Sequence, residues 1–395
     1  MRASSTITAD GLCEGLGAPE DVVCFAHAPG TEVVFGPGVI ARVGEVCSQH
    51  GGSRVLLVTD HGILKAGHAA RVVELLEEAG HEVTIFADAH ENPTTDDVDN
   101  CARVARHAQI DLIVGLGGGS SMDTGKGCNF ILSGGGEIKD YQGKVSDGMV
   151  MLPFVAVPTT AGTGSECQSF ALIADTKTHM KMACGNSNAA AKVAILDPEL
   201  TLTQSPSVTA HTGIDALTHA IESAVTSKRT GISSEYAKLA FALLDSGLEM
   251  VIKDPDNLDA RARVQLGAAY AGTAIENSML GAAHAAANPL TARFGIVHGQ
   301  AVGVMMPGVI RFNAELGEID RIYRELYDGD LAARMTDLLK LAGMSVTVDG
   351  HCVNREDIAQ LAAEAAAQWT AGFNPRAVAE SDFEGLYEGV LPGTL

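Results

Sequence analysis

The chain has 395 residues, 46% of them hydrophobic, with 44 Gly and a formal net charge of −22. A single core stops growing at roughly 250–300 residues, so two domains are expected. The negative balance argues against nucleic acid and anionic membrane surfaces as partners. None of the 8 Cys forms a C-x-x-C pair, which removes support for a zinc-thiolate site and fits reduced thiols in a cytosol. No apolar segment follows the first residues and no run of about 18 apolar residues occurs, so neither a secretory signal nor a membrane span is expected.

Residues 1–30 carry Gly11, Gly15, Gly17, Pro19, Pro29 and Gly30, which break regular elements, and read as an N-terminal arm or a partly disordered tail. From residue 31 the pattern becomes regular. Glu32-Val33-Val34-Phe35 is a short predicted strand, residues 39–50 a helix, and the apolar run 54–59 a strand buried on both faces, closed by Asp60. Helix 67–79, strand 82–86, helix 95–108 and strand 111–115 follow. Alternating strands and helices predict a parallel α/β sheet.

The strand at 111–115 runs into Gly115-Leu116-Gly117-Gly118-Gly119-Ser120-Ser121-Met122-Asp123. A strand, a glycine turn and a helix N-terminus form an anion site, because bare backbone admits a pyrophosphate and the first helical N–H groups lack partners. Ser120 stands where a strict G-x-G-x-x-G has its last Gly, and Asp60 lies upstream of the turn rather than after it, so a packing turn without ligand is the competing reading. A further strand, 152–158, delivers Thr159-Thr160-Ala161-Gly162-Thr163-Gly164-Ser165-Glu166. This loop of small residues and hydroxyls suits a planar cofactor; its other reading is an ordinary turn with Thr163 or Ser165 as helix cap. Strand 193–198 is the last one predicted.

Beyond residue 200 the pattern is helical, at 207–226, 232–253, 258–283, 300–316, 331–342 and 355–368. The expected domains are an arm at 1–30, an α/β dinucleotide-binding domain at 31–199 and a helical metal-binding domain at 200–395. Asp215 and His219, four apart on a helix, project from one face. With the distant His284 and His298 they can close around one divalent cation, and an Asp/His₃ set suits iron or zinc better than calcium or magnesium. On spacing alone, a helix-surface pair is the competing reading of Asp215 and His219. His211, one turn before Asp215, faces the same way but is not needed to complete four ligands.

Gly117-Gly118-Gly119-Ser120-x-x-Asp123, Pro158-Thr159-Thr160-Ala161-Gly162-Thr163-Gly164-Ser165-Glu166, Asp215-Ala216-Leu217-Thr218-His219-Ala220-Ile221-Glu222 and His298-Gly299 resemble the iron-dependent, group III alcohol dehydrogenases. The resemblance covers about residues 31–390. It implies an α/β nucleotide-binding domain, a helical domain and a cleft between them, as in the dehydroquinate synthase-like architecture. It implies Asp215, His219, His284 and His298 as metal ligands, with Fe²⁺ or, alternatively, Zn²⁺. Asp60 matches a ribose-binding acid, whose carboxylate accepts from a 2′-OH and repels a 2′-phosphate, so NAD is favoured over NADP. Asn92, Gly118, Gly119, Ser120 and Asp123 match the adenine-nucleotide and pyrophosphate positions and their motif. Thr159, Thr160, Thr163, Leu172 and Lys181 match positions lining the rest of the cofactor.

At Asn288 the chain departs from many such enzymes, which carry a proton-relaying His four residues after the third ligand. An amide cannot titrate and so cannot act as a general base. The activity implied is reversible hydride transfer between a primary alcohol and NAD in a cytoplasmic homo-oligomer acting on small alcohols or aldehydes. A zinc polyol (glycerol-like) dehydrogenase on the same scaffold and a non-catalytic nucleotide-binding relative are the alternatives.

Overall fold

The computed structural model describes residues 23–26, 30–144, 148–177, 181–348 and 350–391. The chain divides into two compact units between Gln204 and Ser205.

The strands are β1 (Val23–Ala26), β2 (Glu32–Phe35), β3 (Arg54–Val58), β4 (Glu82–Phe86), β5 (Leu112–Gly117), β6 (Gly143–Lys144), β7 (Phe154–Pro158), β8 (Phe170–Ala174), β9 (Lys181–Gly185) and β10 (Val193–Leu196). Seven of them form one sheet in the order β1-β2-β10-β7-β5-β3-β4. All pairings in it are parallel except the edge pair β1/β2. The apolar runs that read as doubly buried strands are so: every residue of β5, β7 and β10 is buried. The helices of this unit are α1 (Val43–Gln49), α2 (His61–Lys65), α3 (His68–Glu78), α4 (Thr95–Ala108) and α5 (Gly119–Gly134). Val43, Val46, Val72 and Leu76 of α1 and α3 share one apolar core with Val55, Leu57, Val114 and Val155 of the sheet.

Two features depart from the sequence reading. Within the stretch expected to be an arm, Val23–Ala26 is a strand paired antiparallel to β2; residues 1–22 and 27–29 lie outside the described residues. A second, three-stranded sheet in the order β6-β9-β8 was not expected. Its β8/β9 hairpin is antiparallel, with Leu172 opposite Ala183 and Ala174 opposite Lys181.

The second unit is helical: α6 (Pro206–Val225), α7 (Gly231–Lys253), α8 (Leu258–Glu276), α9 (Ala282–Phe294), α10 (His298–Ala314), α11 (Gly317–Leu326), α12 (Leu331–Leu341), α13 (Ile358–Ala366) and α14 (Glu380–Glu388). Ser205 caps α6 by accepting from the N–H of Val208, with Pro206 at the first position. From Gly213 to Val225 every residue of α6 is buried, the signature of a central helix wrapped by others. The single helix expected at 258–283 is a correction. It ends at Glu276, and a new helix begins at Ala282, which puts His284 in the first turn of α9.

Candidate active site

In the α/β unit the expected cofactor residues gather at one edge of the sheet. β3, β5 and β7 are neighbours and parallel, so their C-terminal ends emerge side by side. Ligands in open α/β sheets bind outside such ends. β3 delivers Asp60, β5 the Gly117–Ser120 turn, and β7 the threonine loop. Asp60 caps α2, its Oδ1 accepting from the N–H of Ile63 at 3.0 Å. Its Oδ2 faces the glycine turn, accepting from Ser121 Oγ at 3.5 Å. Gly118 and Gly119 lie against the threonines. A Cβ at Gly119 would stand 2.7 Å from Thr163 Oγ1, and one at Gly118 would stand 3.4 Å from Thr160 Oγ1. No side chain larger than hydrogen fits at Gly119 without moving the loop. The N–H of Thr159 donates to the carbonyl of Gly117 at 2.9 Å, tying the two loops together. Thr159 Oγ1 is buried with no hydrogen-bond partner among the described residues. Ser120 opens α5 beside Gly119.

Asp123 lies beneath this edge. Its Oδ1 accepts from Ser165 Oγ at 2.7 Å and its Oδ2 from the N–H of Leu172 at 3.2 Å, so it braces the threonine loop and β8 against α5. Burial pushes its carboxyl up, opposed by Lys126 and these donors. Sequence reasoning missed Lys126. Its ammonium is fully buried and donates to the carbonyls of Ser165, Gln168 and Phe170 at 2.6, 2.8 and 3.1 Å, clamping the far end of the same loop. Leu172 stands on β8 and Lys181 opens β9, its Nζ donating to Asn92 Oδ1 at 3.3 Å. Asn92 itself has a left-handed backbone, φ 54°.

Glu166, in the same loop, is buried, and desolvation raises its pKa to about 7 from an ordinary 4.5 against the pull of Lys126. The folded chain therefore holds this proton more tightly than the unfolded chain. The stability it contributes is complete below about pH 4.5 and is lost as pH rises through about 7, a swing of about 3 kcal/mol. Glu166→Gln is expected to be more stable than the parent at about pH 8 and to lose most of that advantage at about pH 4.5. Chemical denaturation at both values checks this; equal differences at both would contradict it.

In the helical unit, the expected ligands converge. Asp215 and His219 lie one turn apart on α6, and His284 in α9 and His298 at the start of α10 complete the set. Around Asp215 Oδ1 stand His219 Nε2 at 3.4 Å, His284 Nε2 at 3.4 Å and His298 Nε2 at 3.8 Å. The donor atoms of Asp215, His284 and His298 all lie within 4.8 Å of one another. The rings of His219 and His284 stack with centroids 4.7 Å apart. Asp215, His219 and His284 are buried, and the His298 side chain is 33% exposed, which leaves the cluster one open side.

Gly299 fixes the position of His298. A Cβ there would overlap the backbone carbonyl of His211, so only glycine lets the start of α10 press against α6. His211 does not join the cluster found among the described residues; its Nδ1 meets Ser207 Oγ at 3.2 Å.

This cluster fits a divalent cation. Asp215 Oδ1 and His284 Nε2 are buried with no hydrogen-bond partner among the described residues. Leaving such atoms unsatisfied costs about 1–3 kcal/mol each, which a bound cation removes. Burial alone would raise the Asp215 carboxyl, but the surrounding His219, His284 and His298 hold it well below the usual carboxylate range. The donor set is one oxygen and three nitrogens, as iron and zinc take.

Asn288 lies one turn after His284 on α9, and its Nδ2 donates to Gln368 Oε1 at 3.1 Å. Sequence reasoning also passed over Glu222. It follows Asp215 by two turns of α6 and is buried, with its carboxylate on His284. Its spacing, on the face shared by Asp215 and His219, was the available signal.

Comparison with known proteins places the chain in a family. Residues 30–198 match the family model described as iron-containing alcohol dehydrogenase, and residues 209–391 match that of the C-terminal part of the same family. The chain is 32% identical over 368 residues to the 1,3-propanediol dehydrogenase of Klebsiella pneumoniae, covering 89% of this chain and 95% of that one. The crystal structure of a 1,3-propanediol oxidoreductase superposes with a TM-score of 0.89 at 31% identity, covering 93% of this chain and all (100%) of that one. The sulfoacetaldehyde reductase of Bifidobacterium kashiwanohense, solved in complex with NAD⁺, gives 0.85 at 29% identity, with coverages of 94% and 99%. The fold and chemistry are those of an alcohol dehydrogenase-type oxidoreductase. The chain belongs to the iron-containing alcohol dehydrogenase family.

Proposed function

We propose that the chain is an NAD-dependent, divalent-cation-dependent dehydrogenase that interconverts short primary alcohols and their aldehydes, with Fe²⁺ as its ion and Zn²⁺ as an alternative occupant. The observation that carries this reading is the convergence of three imidazole nitrogens on the unsatisfied Asp215 Oδ1. Asp215, His219, His284 and His298 hold the ion. When bound, the ion supplies a Lewis acid to the alcohol oxygen and NAD supplies the hydride acceptor.

The chain's own residues do the rest. Gly118, Gly119 and Ser120 offer bare backbone and the α5 N-terminus to the pyrophosphate. Asp60 accepts from a ribose hydroxyl. Thr159, Thr160, Thr163, Leu172 and Lys181 would line the cofactor, Asn92 would stand at its adenine-nucleotide end, and Asp123 acts on the threonine loop through Ser165. Asn288 cannot take the alcohol's proton, so that proton leaves by water or by the cofactor ribose. Short alcohols and 1,3-diols are the proposed substrates, the latter favoured by the propanediol relatives. A cytoplasmic homo-oligomer is the proposed setting; no described helix is long and apolar enough to cross a membrane.

The test is NADH formation with a panel of short primary alcohols, glycerol and 1,3-propanediol, using protein purified anaerobically. Steady NADH formation supports the reading, and none with any alcohol or aldehyde overturns it. Asp60→Ala is expected to raise NADP efficiency relative to NAD by about tenfold or more, because a like charge no longer faces the 2′-phosphate. An unchanged ratio removes Asp60 from that role.

A further inference from the structure

We propose that Glu222 is a positioning residue of the cation centre: it fixes the tautomer and aim of His284, so that Nε2 is left free of a proton to serve as the ligand atom. This rests on the four-donor reading above and concerns a residue outside that set.

Glu222 is 3% exposed and uses both carboxylate oxygens. Oε2 accepts from His284 Nδ1 at 2.6 Å, a short, charge-assisted bond. Oε1 accepts from the N–H of Ala283 at 2.7 Å. The backbone donor cannot change its sense, and it anchors the carboxylate where α9 begins. A carboxylate so held accepts from the ring as well, which keeps the proton on Nδ1 and leaves Nε2 as the ligand atom. Nε2 is the atom that stands 3.4 Å from Asp215 Oδ1 with no hydrogen-bond partner among the described residues. The negative end also suits the helix N-terminus.

Nearby packing holds this geometry. A Cβ at Gly281 would come within 3.0 Å of both Glu222 Oε1 and Asn374 Oδ1, so glycine lets both acceptors reach the helix start. Asn374 takes the N–H of Ala282 at 3.3 Å and pairs with Asn313, its Nδ2 donating to Asn313 Oδ1 at 2.7 Å. Asn374 thus caps α9 from the same side, and its bonds among the described residues do not include His284. The pair separates two roles: both residues cap the helix, and Glu222 alone orients the ligand.

Glu222→Gln sets these demands against each other. The amide has one oxygen. If it serves Ala283, the NH₂ group donates to Nδ1 and the ring's proton moves to Nε2, facing the ion. If it serves His284, two donors meet at Ala283.

The experiment is a competition titration of Zn²⁺ against a chromophoric chelator on the metal-free full chain, its Glu222→Gln and Asn374→Ala variants, with thermal melts of each metal-free protein. Glu222→Gln is expected to bind Zn²⁺ roughly 10–100-fold more weakly. Asn374→Ala is expected to melt lower and keep its zinc affinity. Zinc-loaded wild type should show a low-field Nδ1–H proton signal coupled to the His284 ring.

Wild-type affinity in Glu222→Gln overturns the proposal, as does an equal loss in Asn374→Ala, which makes both residues simple caps. Absence of the low-field signal from the wild type overturns it even if Glu222→Gln does not fold. A wild-type chain that takes up no zinc or ferrous ion overturns the cation reading and this proposal together, and is thereby distinguished from failure of the Glu222 role alone.

Discussion

Asp215→Asn is expected to lower cation affinity by a factor of roughly 10²–10³, corresponding to about 3–4 kcal/mol, and to remove alcohol-dependent NADH formation with it. Asp215 is the anion at the centre of the cluster, and three imidazoles approach one of its oxygens. Asparagine keeps the shape and loses the charge. A neutral amide oxygen attracts the ion weakly, and a rotated amide turns an NH₂ toward the imidazoles. The side chain is buried, so water cannot fill the deficit. Metal content by elemental analysis and turnover on the same preparation check this. Full metal content with full turnover would contradict it.

Asn288→His is expected to raise turnover on simple alcohols by about 10²-fold and to give the rate a new dependence on pH. General acid–base assistance contributes typically ~10²–10⁴-fold, and the parent amide supplies none. Position 288 follows His284 by one helical turn, so the two side chains share a face of α9. The Asn288 Nδ2 now donates to Gln368 Oε1, an acceptor that would orient an imidazole N–H equally well. As a base the ring works only when neutral, so the added rate should fall as pH drops below about 6.5, the ordinary histidine value. Initial rates across pH for both proteins decide it. Unchanged rate and profile would mean that proton removal does not limit turnover.

The α/β sheet was legible because its central strands are buried on both faces and read as apolar runs, as at residues 55–58 and 112–116. Helical spacing put Asp215 and His219 on one face but left a surface pair as a competing reading; the motif resemblance is what singled them out. The break before α9 was missed although Asn277 and Gly281 mark it locally, because the apolar pattern resumes at once on the far side. The start of α9 is set by the carboxylate of Glu222 and the amide of Asn374, which lie 61 and 92 residues away in sequence. The β6-β9-β8 sheet was hidden for a related reason. β6 is two residues long, and β8 is fixed by Asp123 receiving the N–H of Leu172 from 49 residues away. Lys126 belongs to no motif in the sequence, and its burial follows from three carbonyls converging on it in the folded chain.

In the proposed function, one ion held by Asp215, His219, His284 and His298 is required for hydride transfer to NAD. The direct test is to strip the protein with a chelator and titrate Fe²⁺ back anaerobically while following alcohol-dependent NADH formation. Activity should be absent without ion, rise in proportion to bound iron and level off at one ion per chain. A stripped protein that forms NADH at the full rate would contradict it.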